Sequence, residues 1–147
     1  MSVILAATLK NRLREPSEEV TDFEPWNELP ALVAKLIEEM GEHPGISAPQ
    51  VGKNLRVFVV NRSVTRHKDH LVAVNPEVTP KGSEVTEPEA CLSLPDQVFE
   101  VSRPKRCKLK CQDMSGEVWR TYKVKGFTAR VIQHELDHLN GILIDEK

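Results

Sequence analysis

At 147 residues, with 39% hydrophobic and 29% charged side chains, the chain has the composition of one soluble globular domain, residues 1–147, large enough for a real core. A formal net charge of -2 argues against a nucleic-acid binder that relies on a broad basic face, and no apolar run approaches membrane-spanning length. Three cysteines make no disulfide framework, and Val3-Ile4-Leu5-Ala6-Ala7 lacks the preceding positive charge of a signal peptide, so a cytoplasmic monomer is expected.

Residues 1–28 are mixed in character and read as an extended arm on the domain surface. From Pro30 the pattern turns helical: Leu32, Val33, Leu36, Ile37 and Met40 recur at helical spacings, and Gly41 supplies a stop. Glu42 to Gly52 is a loop by composition, punctuated by Pro44, Gly45, Pro49 and Gly52. Within it, Gly45-Ile46-Ser47-Ala48-Pro49-Gln50 is a run of small residues ending in an amide side chain. Taken alone it reads most simply as a connector. Small residues also let a substrate backbone come close, and a held amide can donate to an oxyanion.

Val57-Phe58-Val59-Val60 predicts a strand buried on both faces, and Asn61 to Asp69 a polar turn, with His67 and nearby His70 solvated. Leu71 to Val74 is a second strand, expected to stop at Asn75-Pro76, with Glu77 to Pro88 a further short strand and loop. Cys91 falls in an irregular segment that ends at Pro95. Beyond it, Val98 to Val101 and Arg106 to Cys111 alternate like strands, with Cys107, Leu109 and Cys111 on a core face and the basic residues on the other. Cys107 and Cys111 would lie about 13 Å apart along such a strand, too far to share one ion. A turn at Asp113 to Gly116 and a returning strand from Val118 to Val124 complete a hairpin. The class is α+β: mainly antiparallel sheets around a central helix.

That helix carries Gln133-His134-Glu135-Leu136-Asp137-His138, after a break and capping residue in Gly126-Phe127-Thr128. Histidines four apart share one helix face and can reach one metal ion, while Glu135 stands ready to move a proton of water. A catalytic site of this type needs a third protein ligand. The metalloprotease pattern would place it where Ile144 stands, which disfavours an endopeptidase, so the ligand comes from upstream. His43, His67, His70 and Cys91 are the candidates. Spacing does not decide between Cys91 and His43.

Three segments together resemble the peptide deformylase family. Gly45 to Gln50 is similar to its glycine-rich first motif, Glu89-Ala90-Cys91-Leu92-Ser93 to its E-G-C-L-S motif, and Gln133 to His138 to its Q-H-E-x-D-H motif, in the family's order. Ile4-Leu5, Leu13-Arg14, Val20 and Asn75-Pro76-Glu77 extend the likeness over nearly the whole chain. The resemblance implies Cys91, His134 and His138 as metal ligands, Glu135 as general acid and base, and Gln50 with the Leu92 backbone N–H as oxyanion hole. It implies Gly45 and Ile46 as substrate-binding residues. The cofactor would be one divalent ion, Fe2+ physiologically, with Zn2+, Ni2+ or Co2+ able to replace it. The substrates would be N-formylmethionyl peptides and nascent chains, with transient proximity to the ribosome, no direct nucleic-acid binding and no membrane. A non-catalytic, peptide-binding member of the family is the alternative.

The chain departs from the family pattern in three places. His43 replaces a glycine of the first motif, which predicts an altered loop entry if that glycine needs a positive φ. Ala90 replaces the glycine beside Cys91, which predicts a narrower groove. Few residues follow His138, so a C-terminal helical extension is not expected, as in compact, phage-encoded members.

Overall fold

Four branched or aromatic residues in a row set the architecture. In β2 (Val57–Val60) successive side chains point to opposite faces, and all four are fully buried, as the sequence predicts. Val57 and Val59 pack under α1 (Leu29–Met40) through Leu32, Val33, Leu36 and Met40. Phe58 and Val60 pack on the other side against Ala129, Val131, Ile132 and Leu139 of α3 (Gly126–Leu139). This strand therefore lies between two helices, and truncating Phe58 to Ala is expected to cost about 3–5 kcal/mol. This computed structural model describes residues 12–23 and 28–146, so Ile4-Leu5 lies outside the described residues.

The sheet has five antiparallel strands in sequence order: β1 (Gly45–Ser47), β2, β3 (Leu71–Cys91), β4 (Leu94–Gln112) and β5 (Trp119–Lys125). The architecture is α+β, with the metal-motif helix central. Two expectations about elements need correcting here. Glu42 to Gly52 is no plain loop: it holds edge strand β1 and a turn of 3-10 helix at Ala48–Val51. The polar turn after β2 contains a short helix, α2 (Arg62–Thr65), with the Asn61 side chain accepting from the Ser63 N–H at 3.0 Å.

The larger correction concerns β3. Asn75-Pro76 does not stop it, and Glu77 to Pro88 is not a separate strand and loop. Proline cannot donate to the ladder, but a bulge absorbs the defect: the register with β4 shifts between Val74 and Glu77. Asn75 takes the left-handed conformation (φ 51°) that asparagine tolerates. Its side chain accepts from the Val20 N–H at 2.8 Å and donates to Val20 O at 2.9 Å. The bulge thus doubles as a clip for the N-terminal arm. Of the expected arm, residues 1–11 and 24–27 lie outside the described residues; within 12–23, Leu13 and Val20 plug into the core rather than lying on the surface.

Further register shifts near Lys81/Glu84 and Ala90/Cys91 bend the long β3–β4 hairpin. Its first half packs on α3 through Cys107, Leu109 and Cys111, the predicted core face. Its far end forms a second cluster of Cys91, Leu94 and Val101 with Leu13, Leu143 and Ile144. The start of α3 also differs from expectation. Thr128 does not cap it; the helix begins at Gly126 (φ 61°), and Thr128 Oγ1 donates instead to Val64 O at 3.4 Å.

Candidate metal centre

Nine residues of α3 are buried, and five of those are polar or charged: Arg130, Gln133, His134, Glu135 and His138. Burying such groups is costly unless each finds partners, so their presence in the core points to a built site. His134 and His138, one turn apart, face the tip of the β3–β4 hairpin. There Cys91 is the last residue of β3, not part of an irregular segment, and Leu92-Ser93 make a tight turn into β4.

The ligand atoms of Cys91, His134 and His138 all lie within 4.8 Å of one another. Cys91 Sγ is 3.4 Å from His138 Nε2. Bonds of about 2.0–2.3 Å in tetrahedral array require donors at about that separation, so a thiolate and two imidazoles fit one borderline-soft divalent ion. Each imidazole is held by its other nitrogen. His134 Nδ1 donates to Glu89 Oε1 at 2.8 Å, and His138 Nδ1 lies 3.2 Å from Glu135 Oε1 and 3.1 Å from Ser47 Oγ. Burial alone would raise the Cys91 thiol, but the flanking imidazoles outweigh it and bring the group down to about 6. Hydrogen bonds with Cys91 and Glu135 push His138 up, against its burial.

Behind His134 stands a buried charge cluster that the sequence did not reveal. Glu89 accepts from Arg103 Nε at 2.6 Å and Nη2 at 2.9 Å, and also from Arg130 Nη1. Arg103 Nη1 reaches Asp137 Oδ2 at 2.7 Å. Burial raises the Glu89 carboxyl, yet the hydrogen bonds from His134 and Arg103 prevail and hold it near 2. Glu89 and Asp137 sit inside the motifs, beside the proposed ligands, which was the available signal. Arg103, in the run Arg103-Pro104-Lys105-Arg106, gave none.

Gln50 meets the thiolate from the opposite side. Its Oε1 accepts from the Ser47 N–H and Ser47 Oγ, both at 3.0 Å, which turns the amide nitrogen toward Cys91 Sγ (3.7 Å) and Ser93 Oγ (3.2 Å). Gly45 lies against Glu135: a Cβ there would stand 3.0 Å from Oε2 and 3.1 Å from Val131 Cγ1. A side chain here would press on Glu135 and Val131, which would have to give way. Ile46, its neighbour, is wholly buried in the cluster beneath α1, so what it offers the site is main chain.

Gly45, Gln50, Cys91, His134 and Glu135 line a cleft of about 590 Å³, with Leu92, Val98 and Phe127 on its walls. Ala90 is exposed on its wall, and His43 lines it without joining the metal cluster. His43 does not take a positive φ; Gly41 (φ 54°) makes that bend, so the substituted motif position carries no strain. His67 and His70 line a larger groove of about 1390 Å³ that contains neither Cys91 nor the α3 histidines. His70 Nδ1 accepts from the Arg62 N–H there at 3.0 Å. Size alone would favour that groove; the donor chemistry favours the cleft.

Comparison with known proteins agrees with this geometry. The family model described as polypeptide deformylase matches residues 3–147. The chain belongs to the polypeptide deformylase family. A peptide deformylase of Dictyoglomus turgidum is 44% identical over 115 residues, covering 77% of this chain and 72% of that protein. One from Thermotoga maritima is 38% identical over 140 residues, covering 92% and 80%. The crystal structure of peptide deformylase from Thermotoga maritima superposes with a TM-score of 0.87 at 34% identity, covering 99% of this chain and 95% of that one. A class I type b peptide deformylase from Acinetobacter baumannii gives 0.88 at 33%, covering 100% and 98%. Membership makes the protein a hydrolase that removes the N-formyl group from nascent peptides.

Proposed function

We propose that Cys91, His134 and His138 hold one divalent ion, Fe2+ in the cell and replaceable by Zn2+, Ni2+ or Co2+, and that Glu135 is the acid and base of deformylation. The observation that carries this reading is the convergence of three donors within 4.8 Å, two of them with a carboxylate on the far ring nitrogen. When bound, the ion supplies Lewis acidity to the formyl oxygen and lowers the pKa of water.

Glu135 accepts the proton of the attacking water as its oxygen bonds to the formyl carbon. The Gln50 amide and the Leu92 backbone N–H donate to the oxygen that gains charge, an interaction that is strongest in the transition state. Ser47 pre-orients the Gln50 amide, so no reorganisation is needed when that charge develops. Glu135 then returns its proton to the amine nitrogen as the C–N bond breaks, leaving formate and a free N-terminus.

An extended N-formylmethionyl peptide would lie beside β1, whose second edge is unpaired in the sheet, with the main chain of Gly45 and Ile46 as its partner. Val98 and Phe127, 68% and 59% exposed, form an apolar rim for its side chains. Among the described residues, no helix is long and apolar enough to cross a membrane. We take the protein to act as a cytoplasmic monomer on chains leaving the ribosome.

The test is formate release from formyl-Met-Ala-Ser by protein purified anaerobically with iron. Glu135→Ala should retain metal while its turnover falls by roughly 10²–10⁴. Absence of formate from wild-type protein that carries one ion per chain would overturn the proposal.

A further inference from the structure

The outer face of β3, β4 and β5 carries a ladder of cations that deformylation does not use. Arg106, Lys108 and Lys110 alternate with the buried Cys107, Leu109 and Cys111, so they project away from α3. Register places Lys81, Arg106 and Lys125 side by side across the three strands. One step along, Lys108 faces Lys123 with Thr79 beyond, and the following row is Glu77, Lys110 and Thr121.

Like charges directly opposed across a sheet are destabilising, yet this face repeats the arrangement in two successive rows. None of the six cations makes an ion pair with a described residue. Glu77 is the one carboxylate within these rows, and Glu84 lies beyond the bulge at Gly82. At the other end Trp119 is 46% exposed on the same face, with Lys110 Nζ 5.2 Å from its ring centroid. Cations therefore recur about 5 Å apart across the strands and about 7 Å apart along them, ending at an exposed aromatic plane. None of the six lines the catalytic cleft.

We propose that this face binds single-stranded RNA, its phosphates on the rows of Lys81, Arg106, Lys108, Lys123 and Lys125 and a base stacked on Trp119. A charged track ending in an aromatic platform suits an unpaired strand, whose bases are free to stack. The choice of RNA rests on the deformylase reading, because a nascent chain is met where RNA is dense. The net charge of -2 is an average over faces and conceals the patch.

The experiment is fluorescence anisotropy of a labelled oligouridylate titrated with the full metal-loaded chain over a range of salt, with formate release followed in parallel. Lys108→Ala/Lys123→Ala should weaken binding at least about tenfold and flatten the log–log salt slope by about 1.4, at roughly 0.7 per cation lost from a single strand. Trp119→Ala should weaken it at least about fivefold. Lys35→Ala/Lys68→Ala, the same change of net charge elsewhere, should leave binding intact. Formate release should be unchanged in every variant, which also shows that each folds. No binding at low salt would overturn the proposal, as would equal losses in the Lys35/Lys68 control. Capture by phosphatidylglycerol vesicles but not by RNA, lost in the same ladder variant, would reassign the face to a membrane surface. Since binding is read without turnover, its failure is distinct from a failure of the catalytic reading.

Discussion

Cys91 and the pair Cys107 and Cys111 are equally hidden, at 8%, 2% and 2% exposure, yet they are chemically opposite. Around Cys107 and Cys111 the core is apolar, and burial pushes both thiols up to about 11. Around Cys91 two imidazoles reverse the effect of burial and bring the group to about 6. Burial raises a thiol in every case. The groups beside the sulfur decide whether it becomes a ligand or filler.

Substitution should separate the two environments most sharply. Cys91→Ala is expected to abolish both metal retention and formate release, while Cys107→Ala keeps turnover and loses about 1–2 kcal/mol of stability to the small cavity it leaves. Metal analysis and thermal unfolding of the two variants check this. A Cys107→Ala protein without activity would break the contrast.

One layer further out, Glu89→Gln removes the charge that orients His134 and leaves Arg103 and Arg130 without their shared anion. Metal affinity should fall by about 10- to 100-fold, read by competition with a chromophoric chelator. The thiols can also be titrated directly in metal-free protein. The Cys91 group is depressed, so it is thiolate above pH 6 and thiol below; Cys107 and Cys111 are raised, so they stay thiols until about pH 11. Absorbance at the thiolate band should therefore rise by one cysteine near pH 6. A first rise at ordinary thiol pH would refute the assignment.

The smallest effect is expected at a partly exposed ion pair. Arg14 donates to both Asp145 oxygens at 3.0 and 2.9 Å, and its hydrogen bond holds that carboxyl below the usual range. A depressed carboxyl contributes stability above its ordinary pKa, and the contribution is lost as pH falls through the lowered value. The pair is partly exposed, so Arg14→Ala should cost at most about 1 kcal/mol at neutral pH and less in acid.

These contrasts follow what was legible in the sequence. The run from Val57 to Val60, the alternation at Cys107, Leu109 and Cys111, and the spacing of His134 and His138 are local periods, and local periods survive folding. The passage of β3 through Asn75-Pro76 was not legible, because it depends on Asn75 catching Val20 from a distant segment. Nor was the close approach of Gly45 to Glu135 on α3. Arg103 and Arg130 look like surface cations until the fold places Glu89 between them. Ionic partners across a core have no sequence period.

The length of the β3–β4 hairpin has a mechanical consequence. Its two-residue turn carries Leu92 and Ser93 beside Cys91 at the end of a bent arm, so a small twist at a bulge near Lys81 would be amplified into displacement at the tip. Arg103 and Arg130 act as the clamp that pins this lever to α3, joining Glu89 on one strand, main-chain oxygens of Val85 and Val101, and Asp137 on the helix. Stiffness at the tip is thus supplied by ions buried behind it, and the alignment of sulfur with imidazoles is inherited from a joint between hairpin and helix.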